Sequence, residues 1–243
     1  MFHLLNVPDI VIHNLFPRLT DKERIRLISI TVRVRTRFLT EIWFDNIHDI
    51  YTRDTVNKWY YQQLRYVRIH HPNIILPYKL DKLVLSDTMI EFKRSIPSTV
   101  THLTFGAMFN SSVIGMIPSG VTHLIFGEDF DQDVRGAIPN GVIEVTFGNQ
   151  HSHDLDGAFP EGMTHLSLGT KIHHYAKWIP NSVTHLSLKT NYGWFYPANI
   201  FSPYDIPLLR IDYLRRIRPF LPTSLIELKI DEQLFDLDNF PKN

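Results

Sequence analysis

The chain has 243 residues, 44% of them hydrophobic, and its 25 Lys and Arg balance its 25 Asp and Glu. This size fits one or two domains, and zero net charge gives no electrostatic reason to expect nucleic acid or an acidic membrane as a partner. The absence of cysteine excludes disulfides, thiolate zinc sites and cysteine nucleophiles. No apolar run of membrane-spanning length occurs, so we expect no membrane span and a cytoplasmic location.

Residues 1–38 predict two short helices with a tight turn between them. Apolar residues recur at helical spacing from Ile10 to Leu19, and Pro8 lies where the first turn of a helix tolerates proline. Thr20 and Glu23 have the spacing of a capping box at the start of the second helix. Residues 39–63 are predicted to form a helical connector, which is rich in aromatic residues: Trp43, Phe44, Trp59 and Tyr60.

From about residue 64 to residue 230 the sequence repeats with a period of about 21 residues. An apolar residue followed by proline marks the repeats, and successive prolines are 21, 21, 21 and 20 residues apart. Such a period indicates a stack of similar units rather than an ordinary globular domain. The marking prolines are Pro97, Pro118, Pro139, Pro160 and Pro180, with weaker copies at Pro77 and Pro222.

Three residues after each proline an apolar pattern L-x-x-L-x-L begins, where L is any apolar residue. Eight copies occur, the first without the proline, and all 24 of their L positions are apolar. The alternation within x-L-x-L fits a short strand with one buried face. The copies are Leu64/Val67/Ile69, Leu80/Leu83/Leu85, Val100/Leu103/Phe105, Val121/Leu124/Phe126, Val142/Val145/Phe147, Met163/Leu166/Leu168, Val183/Leu186/Leu188 and Leu225/Leu228/Ile230.

Each period therefore predicts one β-coil made of a turn, a short strand, a glycine corner and a return loop. Pro118 and Gly120 suit the second and fourth positions of a type I turn. One coil cannot bury its apolar edge alone, but about eight stacked coils can. An antiparallel barrel or sandwich is the alternative, although its strands would recur more often. The corner glycines, expected to allow a sharp exit from the strand, are Gly106, Gly127, Gly148 and Gly169.

The predicted fold class is α+β: a small N-terminal helical unit, then a β-rich solenoid over residues 64–230. The template fails across residues 190–220, which predict an irregular insertion. This stretch is interpreted as a degenerate coil with a short basic helix over 209–217, or as an insertion that contacts a partner. Residues 231–243 are expected to form a C-terminal tail.

Histidine recurs at one strand position of the repeat, and this invites a catalytic or metal-binding interpretation. Side chains that alternate with buried residues face outward, so neighbouring histidines should lie about 5 Å apart on a flat ladder. Such side chains do not converge as metal ligands must. We therefore expect a solvent-facing ladder that could contact a partner, with no metal, cofactor or catalytic residue. Crowded histidines could also make the protein sensitive to mild acid. The positions are His102, His123, His165 and His185, with Glu144 in the same ladder.

The repeats resemble FNIP repeats, a family related to leucine-rich repeats. Ile96-Pro97-Ser98-Thr99-Val100-Thr101-His102-Leu103-Thr104-Phe105-Gly106, followed by Phe109-Asn110, carries this resemblance, which covers residues 96–188 clearly. Residues 7–27 similarly resemble an F-box, with Val7 in place of the usual leucine before Pro8. FNIP repeats are common in amoebae and their giant viruses, often behind an F-box, so a viral member would act in the host cytoplasm.

The two resemblances imply a non-enzymatic substrate receptor of a cullin–RING ubiquitin ligase. The F-box-like unit would dock on a Skp-type adaptor, and the repeats would hold a target protein. The implied adaptor-binding residues are Pro8, Val11, Ile12, Leu15, Phe16, Leu19 and Leu27; these residues could instead only cap the open end of the solenoid. The expected target-binding face is His102, Thr104, His123, Ile125, Glu144, Thr146, His165, Ser167, His185 and Ser187.

Two other functions are weighed against the ligase receptor. A repeat scaffold or binding module with no ubiquitin-ligase link is the main alternative, and the test between them is whether residues 7–27 bind an adaptor. A carbohydrate-active β-solenoid enzyme is a distant third possibility. Such enzymes usually carry a carboxylate cluster on one face, whereas this ladder offers the single Glu144.

Overall fold

The computed structural model describes residues 18–23, 47–50, 61–170, 178–189, 217–231 and 233–235. Ten short strands lie within these ranges. They are β1 (His48–Ile50), β2 (Tyr66–Ile69), β3 (Lys82–Leu85), β4 (His102–Thr104), β5 (His123–Ile125), β6 (Glu144–Thr146), β7 (His165–Leu168), β8 (His185–Leu188), β9 (Glu227–Ile230) and β10 (Gln233–Phe235). Two single-turn 3-10 helices, Tyr61–Gln63 and Arg218–Phe220, complete the regular structure of the solenoid.

The strands form one sheet in which spatial order follows chain order from β1 to β10. Strands β1 to β9 pair in parallel, and only the last pair, β9 and β10, is antiparallel. Six strands, β2 to β7, follow one another within the unbroken stretch 61–170, so about six turns of a β-solenoid are described there. The predicted stack of coils is confirmed, and the antiparallel barrel is excluded.

The apolar repeat positions line the interior of the coils. Twenty-three of the 24 are buried, and Leu225 in the last copy is half-buried and packs against the core. The pairing is in register: Leu83, Leu103, Leu124, Val145 and Leu166 are direct neighbours along the ladder. A 21-residue period keeps the same side chains on the same face of every coil, so the core is one continuous apolar column.

The turn before each strand differs from the prediction in its register. The backbone N–H of Val121 donates to the carbonyl of Pro118 at 3.1 Å, and the equivalent bond joins Val142 to Pro139. Proline is therefore the first residue of the turn and glycine the third. The first residue of a β-turn contributes only its carbonyl, as the acceptor of the turn hydrogen bond. Proline lacks a backbone N–H but keeps its carbonyl, so it fits this position without losing a hydrogen bond.

The corner glycines meet the predicted position but for a different physical reason. None of these four glycines has a positive φ. Instead, a Cβ added to Gly127 would lie 1.9 Å from the carbonyl oxygen of Gly106, and one added to Gly148 would lie 2.2 Å from that of Gly127. Glycine is needed here because the backbones of successive coils touch.

Aromatic rings fill the corner of the central coils. Phe105, Phe126 and Phe147 form one stack, with ring centroids 5.5 and 4.8 Å apart. A second stack continues through Phe109 and Phe130, whose centroids are 6.4 Å apart. Offset stacking of this kind adds about 0.5–1.5 kcal/mol per pair to the gain from burial.

Both ends of the sheet differ from the predicted domain boundaries. The supposed helical connector contains β1 at His48–Ile50, which pairs in parallel with β2. The supposed tail contains β10, which reverses direction after Asp231, a residue with φ of 49°. Both strands are three residues long, too short to show periodicity, and Asp is one of the few residues that tolerate a left-handed conformation.

Among the described residues, no strand lies between β8 and β9 in the sheet. Strands β8 and β9 are direct neighbours, with His185 opposite Glu227, so no degenerate coil adds a strand between them. The predicted helix over 209–217 lies outside the described residues except for Ile217, which is buried beside the 3-10 helix Arg218–Phe220.

Most of the predicted N-terminal helical unit lies outside the described residues, which include a 3-10 position at Arg18 and a helical turn over residues 21–23. The capping box that starts this turn is confirmed. The Thr20 N–H donates to the Glu23 carboxylate at 2.9 Å, and the Glu23 N–H reaches the Thr20 hydroxyl at 3.4 Å. In the described part of the chain, no helix is long and apolar enough to span a bilayer.

Candidate functional site

The ten residues predicted to form the target-binding face lie on one side of the sheet, in strands β4 to β8. They are half-buried or exposed and alternate with fully buried residues, as a two-sided sheet requires. We call this surface the ladder face. Its first row is His102, His123, Glu144, His165 and His185, and its second row is Thr104, Ile125, Thr146, Ser167 and Ser187.

A threonine holds each histidine of the first row in place. The Thr122 hydroxyl lies 2.8 Å from Nδ1 of His123, and the same contact recurs at 2.9 Å between Thr101 and His102. Thr164 and Thr184 repeat the contact with the histidines that follow them. Each threonine hydroxyl is also within 3.4 Å of a backbone carbonyl of the preceding coil. The threonine therefore links the histidine ring to that coil.

The fixed histidines form two stacked pairs. The rings of His102 and His123 have centroids 4.2 Å apart and planes within 4° of parallel. His165 and His185 repeat this geometry at 4.3 Å and 8°. Glu144 occupies the rung between the two pairs, with its Oε2 3.7 Å from Nε2 of His123.

The stacking sets the electrostatics of the first row. Burial lowers the pKa of His102, and the neighbouring His123 and Lys82 lower it further, against the opposing effect of Glu144 and Asp81. Two imidazolium charges at this separation would repel by roughly 1–4 kcal/mol at the effective dielectric constants of a protein surface. Because its pKa lies below the ordinary value of about 6.5, His102 presents a neutral ring at pH 7.

A shallow depression of about 420 Å³ lies at the C-terminal part of the ladder face. Its floor is made by the small hydroxyl residues Thr146, Ser167 and Ser187, which leave room that the larger Ile125 fills one coil earlier. Glu144 lines the depression as well. The sheet therefore presents a shallow groove rather than a flat surface.

Two residues of this depression were missed among the predicted face residues. Glu227 continues the first row beside His185, and Lys229 continues the second row beside Ser187. Their side chains form an ion pair at 2.6 Å, and the hydrogen bond from Lys229 lowers the pKa of Glu227. The signal was present, because Leu228 and Ile230 were already recognised as the eighth copy of the pattern.

The histidines of the ladder face lie side by side on adjacent rungs of the sheet. Within the described ranges, no three histidine or carboxylate side chains are placed together to hold a metal ion. The histidines of each pair point the same way from adjacent rungs, which is the geometry expected from the sequence. This arrangement suits recognition of a surface.

The predicted adaptor-binding residues are almost all outside the described ranges. Leu19 alone is described, and it is half-buried next to the capping box. The remaining six are Pro8, Val11, Ile12, Leu15, Phe16 and Leu27.

Comparison with known proteins connects the ladder to a repeat family. The FNIP Repeat family matches residues 90–129 and 109–150, which contain β4, β5 and β6. Residues 90–150 of the chain are therefore similar to FNIP repeats. In the matched residues each threonine of the Thr-His pairs precedes the strand, the histidine is the first residue of the strand, and the Phe positions lie in the two aromatic stacks. No curated protein matches the chain.

Among solved structures, the crystal structure of CroV588, described as a novel circular LRR protein, is similar to this chain. The two are 27% identical in sequence, with a TM-score of 0.49. The match covers 70% of this chain and 24% of CroV588, so this chain spans about a quarter of the length of that protein.

Proposed function

We propose that this chain is a protein-binding scaffold that holds a target protein on its ladder face. One observation carries the proposal: two in-register rows of outward-facing side chains run across five parallel strands and end in a groove. Repeat solenoids bind partners on such continuous surfaces because the frame stays constant while the outward residues vary. The proposed role is non-catalytic.

The finer proposal is that the scaffold serves a cullin–RING ubiquitin ligase in the cytoplasm. In this role residues 1–38 dock on a Skp-type adaptor and the FNIP repeats present the target. The F-box resemblance of residues 7–27 supports it, and the capping box between Thr20 and Glu23 is the structural feature consistent with a second F-box helix. A scaffold with no ligase link is the alternative.

Co-purification with a Skp-type adaptor separates these two roles. The full chain is compared with a Pro8→Ala, Leu15→Ala double variant, with the thermal melt of each checked first. Adaptor binding that is lost in the variant supports the ligase role. A well-folded full chain that does not bind the adaptor contradicts the ligase role and leaves the plain scaffold.

The ladder face is tested separately by arginine substitution. Ser167→Arg fills the groove, whereas Ser119→Arg makes the same chemical change at an exposed turn residue away from the strands. Proteins that are cross-linked to the wild-type chain in cell extract and lost only from Ser167→Arg are face-dependent partners. An identical set of cross-linked proteins for all three chains would contradict target binding on this face.

A further inference from the structure

The second aromatic stack contains a residue that breaks its pattern. Phe109 and Phe130 are 21 residues apart, and 21 residues further along the equivalent position is His151. The His151 ring continues the stack: its centroid is 6.0 Å from that of Phe130, with planes within 7° of parallel, and 4.5 Å from that of Phe147. A titratable ring thus occupies a core phenylalanine position.

His151 is buried without good polar partners. Only 4% of the residue is exposed, and neither ring nitrogen makes a well-formed hydrogen bond within the described part of the chain. Burial lowers the pKa of His151 to about 4, and His153 adds to the effect. A neutral imidazole is tolerated here as an aromatic ring, but an imidazolium would be a charge in an apolar stack.

The charged groups around His151 do not compensate for the cost of burying an imidazolium charge in the stack. Asp131 and Asp133 face it and raise its pKa, as does the backbone of Phe130, but their combined effect is smaller than that of burial. The Asp131 carboxylate is held by Ser152, accepting from its N–H at 2.7 Å and from its hydroxyl at 2.9 Å. Asp133 is bound by Arg135 at 2.6 Å. Neither carboxylate is free to follow the ring.

We propose that His151 is an acid-sensitive latch: its protonation expels the ring from the aromatic stack and opens the return loop 148–157 while neighbouring coils remain formed. This is independent of the proposed function, because it concerns the core and not the ladder face. The device would let a mildly acidic compartment loosen one coil of the solenoid. The equivalent loop 106–115, which carries Phe109, has no such group in its core.

The sign of the pH effect follows from the direction of the shift. The folded-state pKa lies below the unfolded value of about 6.5, so the stabilisation is complete above about pH 6.5 and is lost as the pH falls towards 4. From pH 7.5 to pH 5 this single site lowers the ratio of folded to unfolded loop by about 30-fold.

Urea unfolding at pH 7.5 and pH 5 tests the latch on the full chain. His151→Phe restores the stack, so the decrease of about 30-fold in the ratio of folded to unfolded protein that His151 causes between pH 7.5 and pH 5 should be absent. His153→Gln, which changes the exposed neighbouring histidine, should keep this decrease. If the stability lost between pH 7.5 and pH 5 were the same in His151→Phe as in the wild type, the proposal would be overturned.

Hydrogen exchange on the wild-type chain gives a second readout that needs no variant. After correction for intrinsic rates, exchange in 148–157 should accelerate more than about tenfold between pH 7.5 and pH 5, while exchange in 106–115 should change little. Equal acceleration in the two loops would also overturn the proposal, because it would mean that acid acts on the whole solenoid.

Discussion

Replacing Gly127 with alanine should strongly destabilise the solenoid. The new Cβ would lie 1.9 Å from the carbonyl oxygen of Gly106, so the two backbones must separate by more than about 1 Å. The flanking hydrogen bonds, from Phe105 to Ile125 and from Asp129 to Ala107, are both 2.8 Å long and would break. Each contributes about 0.5–1.5 kcal/mol. Adding the strained aromatic stack gives a loss of roughly 2–4 kcal/mol.

Two other glycines separate this clash from general effects of removing glycine. Gly136 has φ of 72° and open space around it, so Gly136→Ala should cost only about 1 kcal/mol of backbone strain. Gly162 has neither a positive φ nor a close neighbour, so Gly162→Ala should be neutral or stabilise by about 0.5 kcal/mol.

Urea unfolding followed by far-ultraviolet circular dichroism measures all three variants. Gly162→Ala should have the highest urea midpoint of the three variants, Gly136→Ala an intermediate one and Gly127→Ala the lowest. If Gly127→Ala unfolded at the same urea concentration as Gly162→Ala, backbone contact between coils would not explain the corner glycines.

Three further predictions concern the core, the ladder and the surface. Phe126→Ala should cost about 3–5 kcal/mol because it leaves a cavity within the aromatic stacks, and an unfolding midpoint like that of the wild type would contradict this. His123→Ala should raise the pKa of His102 in an NMR titration, since it removes a neighbouring positive charge; a further decrease would refute the pairing. Asp133→Asn should leave the thermal midpoint unchanged, because the pair with Arg135 is exposed to solvent, and a clear decrease would show that this pair matters to the loop.

The repeat was predictable because each coil obeys the same local rules. The apolar residues of the eight copies, the outward histidines and the capping box at Thr20 all follow from spacing that can be read directly. Strands β1 and β10 were not predictable in this way, because three residues carry no periodicity and their pairing is decided by distant partners. The corner at Gly127 was found for the wrong reason, since only the structure shows which backbones touch.

The ladder face was predictable in position but not in its detail. Alternation with buried residues placed His102 and its neighbours on the outward side. The bond from each threonine to the following ring, the stacking in pairs and the groove depend on side-chain rotamers and on which coil carries the small residue. His151 could have been recognised from the sequence, because it stands 21 residues after Phe130 in the repeat.

The backbone contact at the corner glycines gives the chain a modular character. The distance between coils is set where Gly106, Gly127, Gly148 and Gly169 meet, so each junction is chemically the same as the next. Deleting residues 107–127 would join Gly106 to Glu128 and recreate a junction of the same kind. A gene that loses 63 base pairs in this region would therefore shorten the ladder face by one rung, and a gene that gains them would extend it by one rung, in both cases without redesigning the core.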